Sequence, residues 1–255
     1  MAEVVVVSDA REGGMLAAEA IAALVAARPD AVLGLATGST PLSTYTALAD
    51  LPVDLTAVRA FALDEYVGLP SGHPQSYREV ITRDVVEPAG LTPALVSVPG
   101  GGPIETAGED YERDISASGG IDLQLLGIGT TGHIAFNEPG SSFASLTRVK
   151  TLTEQTRRDN ARFFDHPADV PLHCITQGLG TIRRARHLVL LAFGAEKAGA
   201  IAAAVEGAVT ASCPASVIQL HPHVTVIVDG AAARDLVFSE YYRYAWRTKP
   251  GWQGL

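Results

Sequence analysis

A histidine and a glutamate, His133 and Glu138, stand in the glycine-rich run Leu126-Gly127-Ile128-Gly129-Thr130-Thr131-Gly132-His133-Ile134-Ala135-Phe136-Asn137-Glu138-Pro139, directly after an apolar stretch. An imidazole exchanges protons near neutral pH, and a carboxylate in the same loop can orient it or stabilise its cation. In open parallel sheets, ligands bind outside the carboxyl ends of the strands, where such a loop would lie. A second candidate is Phe61-Ala62-Leu63-Asp64-Glu65-Tyr66, where an apolar run ends in two acids. A carboxylate there works as a general base if partial burial lifts its pKa towards neutrality, although either acid reads equally well as a helix cap. A third is Leu35-Ala36-Thr37-Gly38-Ser39-Thr40-Pro41, which predicts a strand running into a helix with Thr40 as N-cap and Pro41 as first helical residue. Free amides and hydroxyls at a helix start favour an anion, so the loop reads as a phosphate cradle or as an ordinary turn.

Two other chemistries have matching letters and fail on context. Gly127, Gly129 and Gly132 satisfy the dinucleotide-binding spacing, but Asn137-Glu138-Pro139-Gly140 follows where a helix should run, and Glu154 is too distant to hold a ribose. No Gly-Lys-Ser/Thr follows the 37–41 loop, which excludes a P-loop. His221 and His223 have no acid or cysteine beside them and read as loop and packing residues, so no metal site is expected.

The elements that must position these groups alternate in type. Strands are predicted at 4–7, 31–36, 58–63, 121–128, 187–193 and 224–228, and helices at 13–27, 41–49, 75–86, 104–118, 196–206 and 231–238. The first helix would bury Leu16, Ala20, Ala23, Leu24 and Ala27. Short β-branched runs with helices between them predict a mostly parallel α/β sheet covered on both faces. Without a repeat or a low-complexity linker, one domain is expected over 1–255, with a small lid at about 150–171, where the chain is polar and irregular. The aromatic tail 241–246 reads as packing on the body or on another subunit.

The 255 residues are 47% hydrophobic and 18% charged, enough for a sizeable core. A net charge of -9 argues against a nucleic-acid or anionic-membrane surface, while leaving room for a small anion held by local cations. Cys174 and Cys213 lie far apart and read as buried apolar residues. The apolar start is too short for a signal peptide or a membrane span, which points to the cytoplasm.

In this order the motifs resemble the glucosamine-6-phosphate deaminases over nearly the whole chain. The resemblance is carried by the 34–41 loop, Leu63-Asp64-Glu65-Tyr66-Val67-Gly68-Leu69, Gly132-His133-Ile134-Ala135-Phe136-Asn137-Glu138-Pro139-Gly140, Thr147-Arg148-Val149-Lys150-Thr151-Leu152-Thr153 and Asn160-Ala161-Arg162-Phe163-Phe164. It implies a modified doubly wound fold and an amino-sugar phosphate substrate, converted to fructose 6-phosphate and ammonia without cofactor or metal. Asp64 would move a proton between C2 and C1, and His133, supported by Glu138, would open the sugar ring. Gly38, Ser39, Thr40, Arg162 and Lys197 would hold the phosphate. Some members of that family are homo-oligomers with an activator site, whose counterparts here are Ser141, Ser142, Arg148 and Lys150; the same residues read equally as a bare basic loop.

Two positions depart from the family pattern. Thr131 replaces an acid that usually joins the histidine and glutamate; a hydroxyl cannot supply the negative charge that raises an imidazole's pKa, so a lowered His133 pKa and slower ring opening are expected. Cys213 stands where an aromatic is usual. Three rivals remain: a 6-phosphogluconolactonase, in which Asp-Glu-Arg would replace Asp64-Glu65-Tyr66; a deaminase of galactosamine 6-phosphate; and a sugar-phosphate sensor without turnover, motivated by Thr131.

Overall fold

The computed structural model describes residues 2–255. Ten strands occur along it: β1 (Glu3–Val7), β2 (Val32–Leu35), β3 (Arg59–Ala62), β4 (Asp64–Tyr66), β5 (Val96–Ser97), β6 (Leu123–Gly127), β7 (Arg148–Thr151), β8 (His173–Thr176), β9 (His187–Ala192) and β10 (Val224–Asp229). Seven form one sheet in the order β1-β10-β9-β6-β2-β3-β5, every pairing parallel. The six expected strands are all in it, and β2 and β9 are buried along their whole length, as a sheet covered on both faces requires. The order reverses between β2 and β6: the chain moves outward through β3 and β5 on one side, and through β9 and β10 on the other. A crevice opens outside the carboxyl ends of the strands at such a reversal.

The remaining strands make a small antiparallel sheet, β4-β8-β7, that periodicity did not announce. These strands have only three or four residues each. Between β3 and β4 the chain turns at Leu63 and leaves one sheet for the other. Leu63 donates its amide to Leu35 O at 3.0 Å and accepts the Gln177 amide at 2.7 Å, so both sheets hold the corner. After β7 the helix Glu154–Asn160 and the short turns Ala161–Phe163 and Pro167–Asp169 occupy the region expected as a lid and form a cap. A small apolar cluster of Tyr66, Phe136, Leu152, Val170 and Cys174 lies beneath it, separate from the main core.

Several helices differ from expectation. The first, Ala10–Ala27, begins a turn early because Asp9 accepts the Glu12 amide at 2.9 Å. It buries Gly13, Gly14, Ala17, Ala18, Ile21 and Val25, whereas Ala23 and Ala27 are exposed. Close approach decides the face: a Cβ on Gly14 would lie 2.5 Å from the Ser43 carbonyl carbon, so small residues face the helix Leu42–Asp50. Thr40 does not cap that helix; Pro41 is its N-cap, without a side-chain bond. The helix expected at 75–86 is Tyr77–Ile81 followed by a π turn, Thr82–Val86. No helix forms at 231–238. Asp229 takes the Ala232 amide and Glu206 takes those of Val237 and Phe238, which holds turns until the helix Ser239–Arg247 begins. That helix buries Tyr242, leaves Tyr241 and Tyr244 exposed, and is followed by an ion pair from Lys249 to Glu3 at 2.6 Å. Among the described residues no helix is long and apolar enough to cross a membrane.

Asp122 ties the sheet's amino-terminal edge together. It is buried, accepts the Val32 amide at 2.8 Å, and meets the guanidinium groups of Arg28 and Arg186 at 2.8 Å each. Asp122→Ala leaves the buried Val32 amide unpaired and takes a carboxylate from Arg28 and Arg186, which are partly exposed and keep Asp30 and the Gly119 carbonyl, so a loss of about 2 kcal/mol is expected in urea unfolding.

Candidate active site

One cavity of about 930 Å³ opens at the carboxyl ends of the parallel strands, on the crevice where their order reverses. Its wall is contributed by the loop after β2 with Gly38, Ser39 and Thr40, the corner after β3 with Asp64, the loop after β6 with His133, the turn after β9 with Lys197, and the cap with Arg162. The expected catalytic and phosphate residues therefore converge, except that Thr131 and Glu138 stand behind His133 and not on the wall. Among the described residues, no cluster of His, Cys, Asp or Glu has a metal site's arrangement.

The loop after β2 is anchored by Tyr45, a buried phenol that donates to Ala36 O at 2.7 Å and accepts the Ala36 amide at 3.1 Å. Gly38 has φ +97°, which few side chains tolerate, and no atom lies within 4 Å of where its Cβ would be. Its glycine is thus required by backbone angle, not by packing. Across the cavity, Lys197 begins the helix Ala198–Val205. Burial lowers its pKa, with Glu196 opposing, Arg162 lowering it further and Asp159 opposing. The two cations therefore repel each other in the protein alone, as a site for a dianion would.

Asp64 and Glu65 divide the two readings between them. Glu65 caps the helix Tyr77–Ile81, accepting the amides of Tyr77 at 2.8 Å and Arg78 at 2.9 Å. Asp64 is buried on the cavity wall; burial pushes its carboxyl up to about 8, the Glu65 charge adds to the rise, and a bond from the Phe136 amide opposes it. The loop carrying that amide is tied to the corner by buried amides. Asn137 donates to Ile134 O at 3.0 Å and Gln177 O at 2.8 Å, and Gln177 donates to Ala62 O at 3.0 Å. Asp64 and His133 are thus held in one frame.

His133 Nδ1 has Thr131 Oγ1 at 2.9 Å and Glu138 Oε2 at 3.6 Å, leaving Nε2 for a substrate oxygen. Its pKa is lowered, chiefly by burial; Glu138 opposes, Lys197 lowers it further, and Asp159 opposes. The direction matches expectation, but desolvation is the larger cause. The ring lies against Gly129, where a Cβ would be 2.1 Å from Cε1. Two residues on, Ala135 has φ +50°, unique among the described non-glycine residues, and also lines the cavity. Local strain of this kind concentrates at functional loops. Cys213, at the unusual position, packs behind this loop: a Cβ on Gly132 would lie 2.6 Å from its Sγ.

Several wall residues were not singled out from sequence. Tyr66, Tyr77, Phe136 and Phe164 form an aromatic cluster with centroids 4.9 to 5.9 Å apart, and Asn160 donates to the Tyr66 hydroxyl at 2.9 Å. Tyr66, Phe136, Asn160 and Phe164 lie in the family-like motifs, which was the available signal; Tyr77 lies outside them. Arg83 and Asp84 reach the cavity from the π turn, which no pattern announces. The expected second site is less assembled. Ser141 is buried and donates to Glu138 O at 2.7 Å, while Ser142 accepts the Ala144 amide at 3.2 Å. Arg148 and Lys150 alternate along β7, and only Arg148 lines a smaller groove, with Val67, Glu109 and His173. His221 lies between carbonyls of Ala185 and His223, and His223 stacks on His187, a packing role as expected.

Two outcomes follow from this geometry. Gly129→Ala should displace the imidazole and reduce turnover at least tenfold while melting within a few degrees of the parent, checked by kinetics beside calorimetry. For Asp64, the folded state keeps a proton that the unfolded chain loses near pH 4, so folding stability falls as pH rises from about 4 to about 8. Asp64→Asn should abolish that decline, giving a higher melting temperature than the parent at pH 8 and little difference at pH 4.

The sequence profile of the glucosamine-6-phosphate isomerases/6-phosphogluconolactonases matches residues 10–227. A glucosamine-6-phosphate deaminase of Bifidobacterium longum is 59% identical over 270 aligned positions, spanning all of both chains. One of Arthrobacter sp. is 58% identical across 99% of this chain and all of its own. Among solved structures, a monomeric glucosamine-6-phosphate deaminase superposes with a TM-score of 0.89 at 39% identity, covering 91% of this chain and 99% of that one. A 6-phosphogluconolactonase of Thermotoga maritima, at 21% identity and TM-score 0.71 over 90% and 99% of the two chains, shares the fold. With its motifs, its sheet order and a match over most of its length, the chain belongs to the glucosamine-6-phosphate isomerase/6-phosphogluconolactonase family.

Proposed function

We propose that the protein converts glucosamine 6-phosphate and water to fructose 6-phosphate and ammonia. The observation that carries this reading is the pairing, in one cavity, of a buried carboxyl pushed up to about 8 with an imidazole backed by a carboxylate and opposite two cations. Gly38, Ser39 and Thr40 with Arg162 and Lys197 hold the phosphate, which fixes the sugar chain towards Asp64 and His133. Protonated His133 gives its Nε2 proton to the ring oxygen, the C1 hydroxyl gives its proton to water, and the C1–O5 bond breaks to leave the open aldehyde. Asp64, as carboxylate, takes the C2 proton while the C1 oxygen takes one from water, forming an enolamine across C1 and C2, and Asp64 then returns its proton to C1. The resulting C2 imine adds water and expels ammonia, leaving the ketone. The cap acts as a lid that closes over the seated sugar and limits the access of water. The full names of the close relatives support the substrate; Tyr66 after Asp64-Glu65 favours amino-sugar over lactone chemistry.

The protonation states explain why Thr131 matters. The reaction needs His133 charged and Asp64 ionised, yet burial favours the reverse in both. With the imidazole lowered and the carboxyl pushed up to about 8, the productive pair is a minor form of the free protein. An acid at position 131, close to Nδ1, would raise the imidazole pKa and enlarge that fraction.

Ammonia release coupled to fructose 6-phosphate formation tests the reading. Asp64→Asn should lower kcat by about a thousandfold, and Thr131→Asp should raise kcat/KM several-fold and shift the pH optimum upward. Turnover of galactosamine 6-phosphate in place of glucosamine 6-phosphate would move the substrate assignment. Hydrolysis of 6-phosphogluconolactone, or tight sugar-phosphate binding without ammonia, would replace it.

A further inference from the structure

Glu138 is divided between two parts of the molecule. Its Oε1 accepts hydroxyls from Thr153, at 3.1 Å, and from Thr156, both at the start of the cap helix Glu154–Asn160. Thr153 is also that helix's N-cap, its Oγ1 accepting the Thr156 amide at 3.1 Å. The other oxygen, Oε2, is buried without a hydrogen-bond partner, and lies 3.6 Å from His133 Nδ1, beyond hydrogen-bond length. Thr131 occupies the nitrogen instead, at 2.9 Å. An unpaired buried carboxylate oxygen is costly, and a shift of under about 1 Å onto the imidazole would relieve it. The bonds to the cap helix resist that shift. Further along the same helix, Gln155, Asp159 and Asn160 line the cavity, and Arg162 follows directly.

We propose that Thr153 and Thr156 are positioning residues that hold Glu138 to the cap and away from His133, so that the seat of the cap decides how strongly the carboxylate supports the imidazole. The kinetic part of this inference rests on the deaminase reading; the geometric part does not. An anion drawing on Arg162 pulls the helix that carries Thr156, and with it the carboxylate behind the ring-opening group. Phosphate binding and ring opening are thereby joined through seven residues of helix. The other groups facing His133 are Asp159 from the cap and Lys197 from the turn after β9, of opposite sign to each other; Cys174 of β8 is also within reach of Glu138's charge.

Thr156→Val keeps the side chain's shape and removes the hydroxyl. Glu138 should then close on Nδ1, and the His133 titration, followed by imidazole NMR on the resting protein, should move upward, with a three- to tenfold gain in proton affinity. Thr156→Ser should restore the parent value. In kinetics the limb of kcat/KM that needs charged His133 should move the same way, with KM changed less than kcat. Thermal melting establishes that each variant is folded, and Thr156→Ala replaces the valine variant if that one is not. An unmoved or lowered His133 titration in a folded variant overturns the inference, as does failure of serine to restore it. A raised titration in a protein that releases no ammonia would uphold the positioning role and remove the deaminase reading.

Discussion

At Leu63 the chain passes from one sheet to the other, and the two backbone bonds that hold this corner, to Leu35 and from Gln177, fix where Asp64 can be. The parallel sheet supplies one bond and the small antiparallel sheet the other, so neither sheet alone determines the position. The buried amides of Asn137 and Gln177 extend the frame to the loop of His133, linking carbonyls of Ile134, Gln177 and Ala62. Groups that lie 69 residues apart in sequence, Asp64 and His133, are thereby held in register. The main sheet contributes rigidity; the corner converts it into placement.

The cavity's electrostatics follow from the same frame. Buried on the cavity wall, Asp64 loses hydration while the adjacent Glu65 sits at a helix start, so burial and the neighbouring charge push the same way. His133 loses hydration too, but against Gly129, where only hydrogen fits. The glycine-rich run thus serves three distinct needs. Gly129 provides room for a ring, Gly132 provides room for Cys213 at a left-handed angle, and Ala135 is forced into such an angle without being glycine.

Much of this could be read from the letters. The six long strands were legible because full burial writes itself as unbroken runs of Val, Ile, Leu and Ala, and the motif loops followed those runs directly. The small sheet was not, because strands of three or four residues are too short to show a period. The buried face of the first helix was misread for a related reason. Hydropathy ranks Leu above Gly, but close contact selects size, so Gly13 went inward against Phe193 and Ile227, and Gly14 against Ser43. The helix expected at 231–238 failed on competition: the carboxylates of Asp229 and Glu206 claim the amides that a helix would need, and those partners are remote in sequence. Within the site, single residues with charge or a hydroxyl were visible, whereas Thr153, Thr156 and the Tyr66 cluster gain their meaning only from what they face.

The raised carboxyl of Asp64 also has a calorimetric consequence. Near neutrality the resting protein carries its proposed base mostly in the acid form. Any ligand that requires the carboxylate and leaves His133 neutral must therefore release a proton to the medium as it settles. The heat of such binding would include the ionisation heat of the buffer, and its affinity would strengthen with each step of pH towards 8, although the ligand itself need not titrate. In this sense the cavity binds in exchange: an anion enters, and a proton leaves.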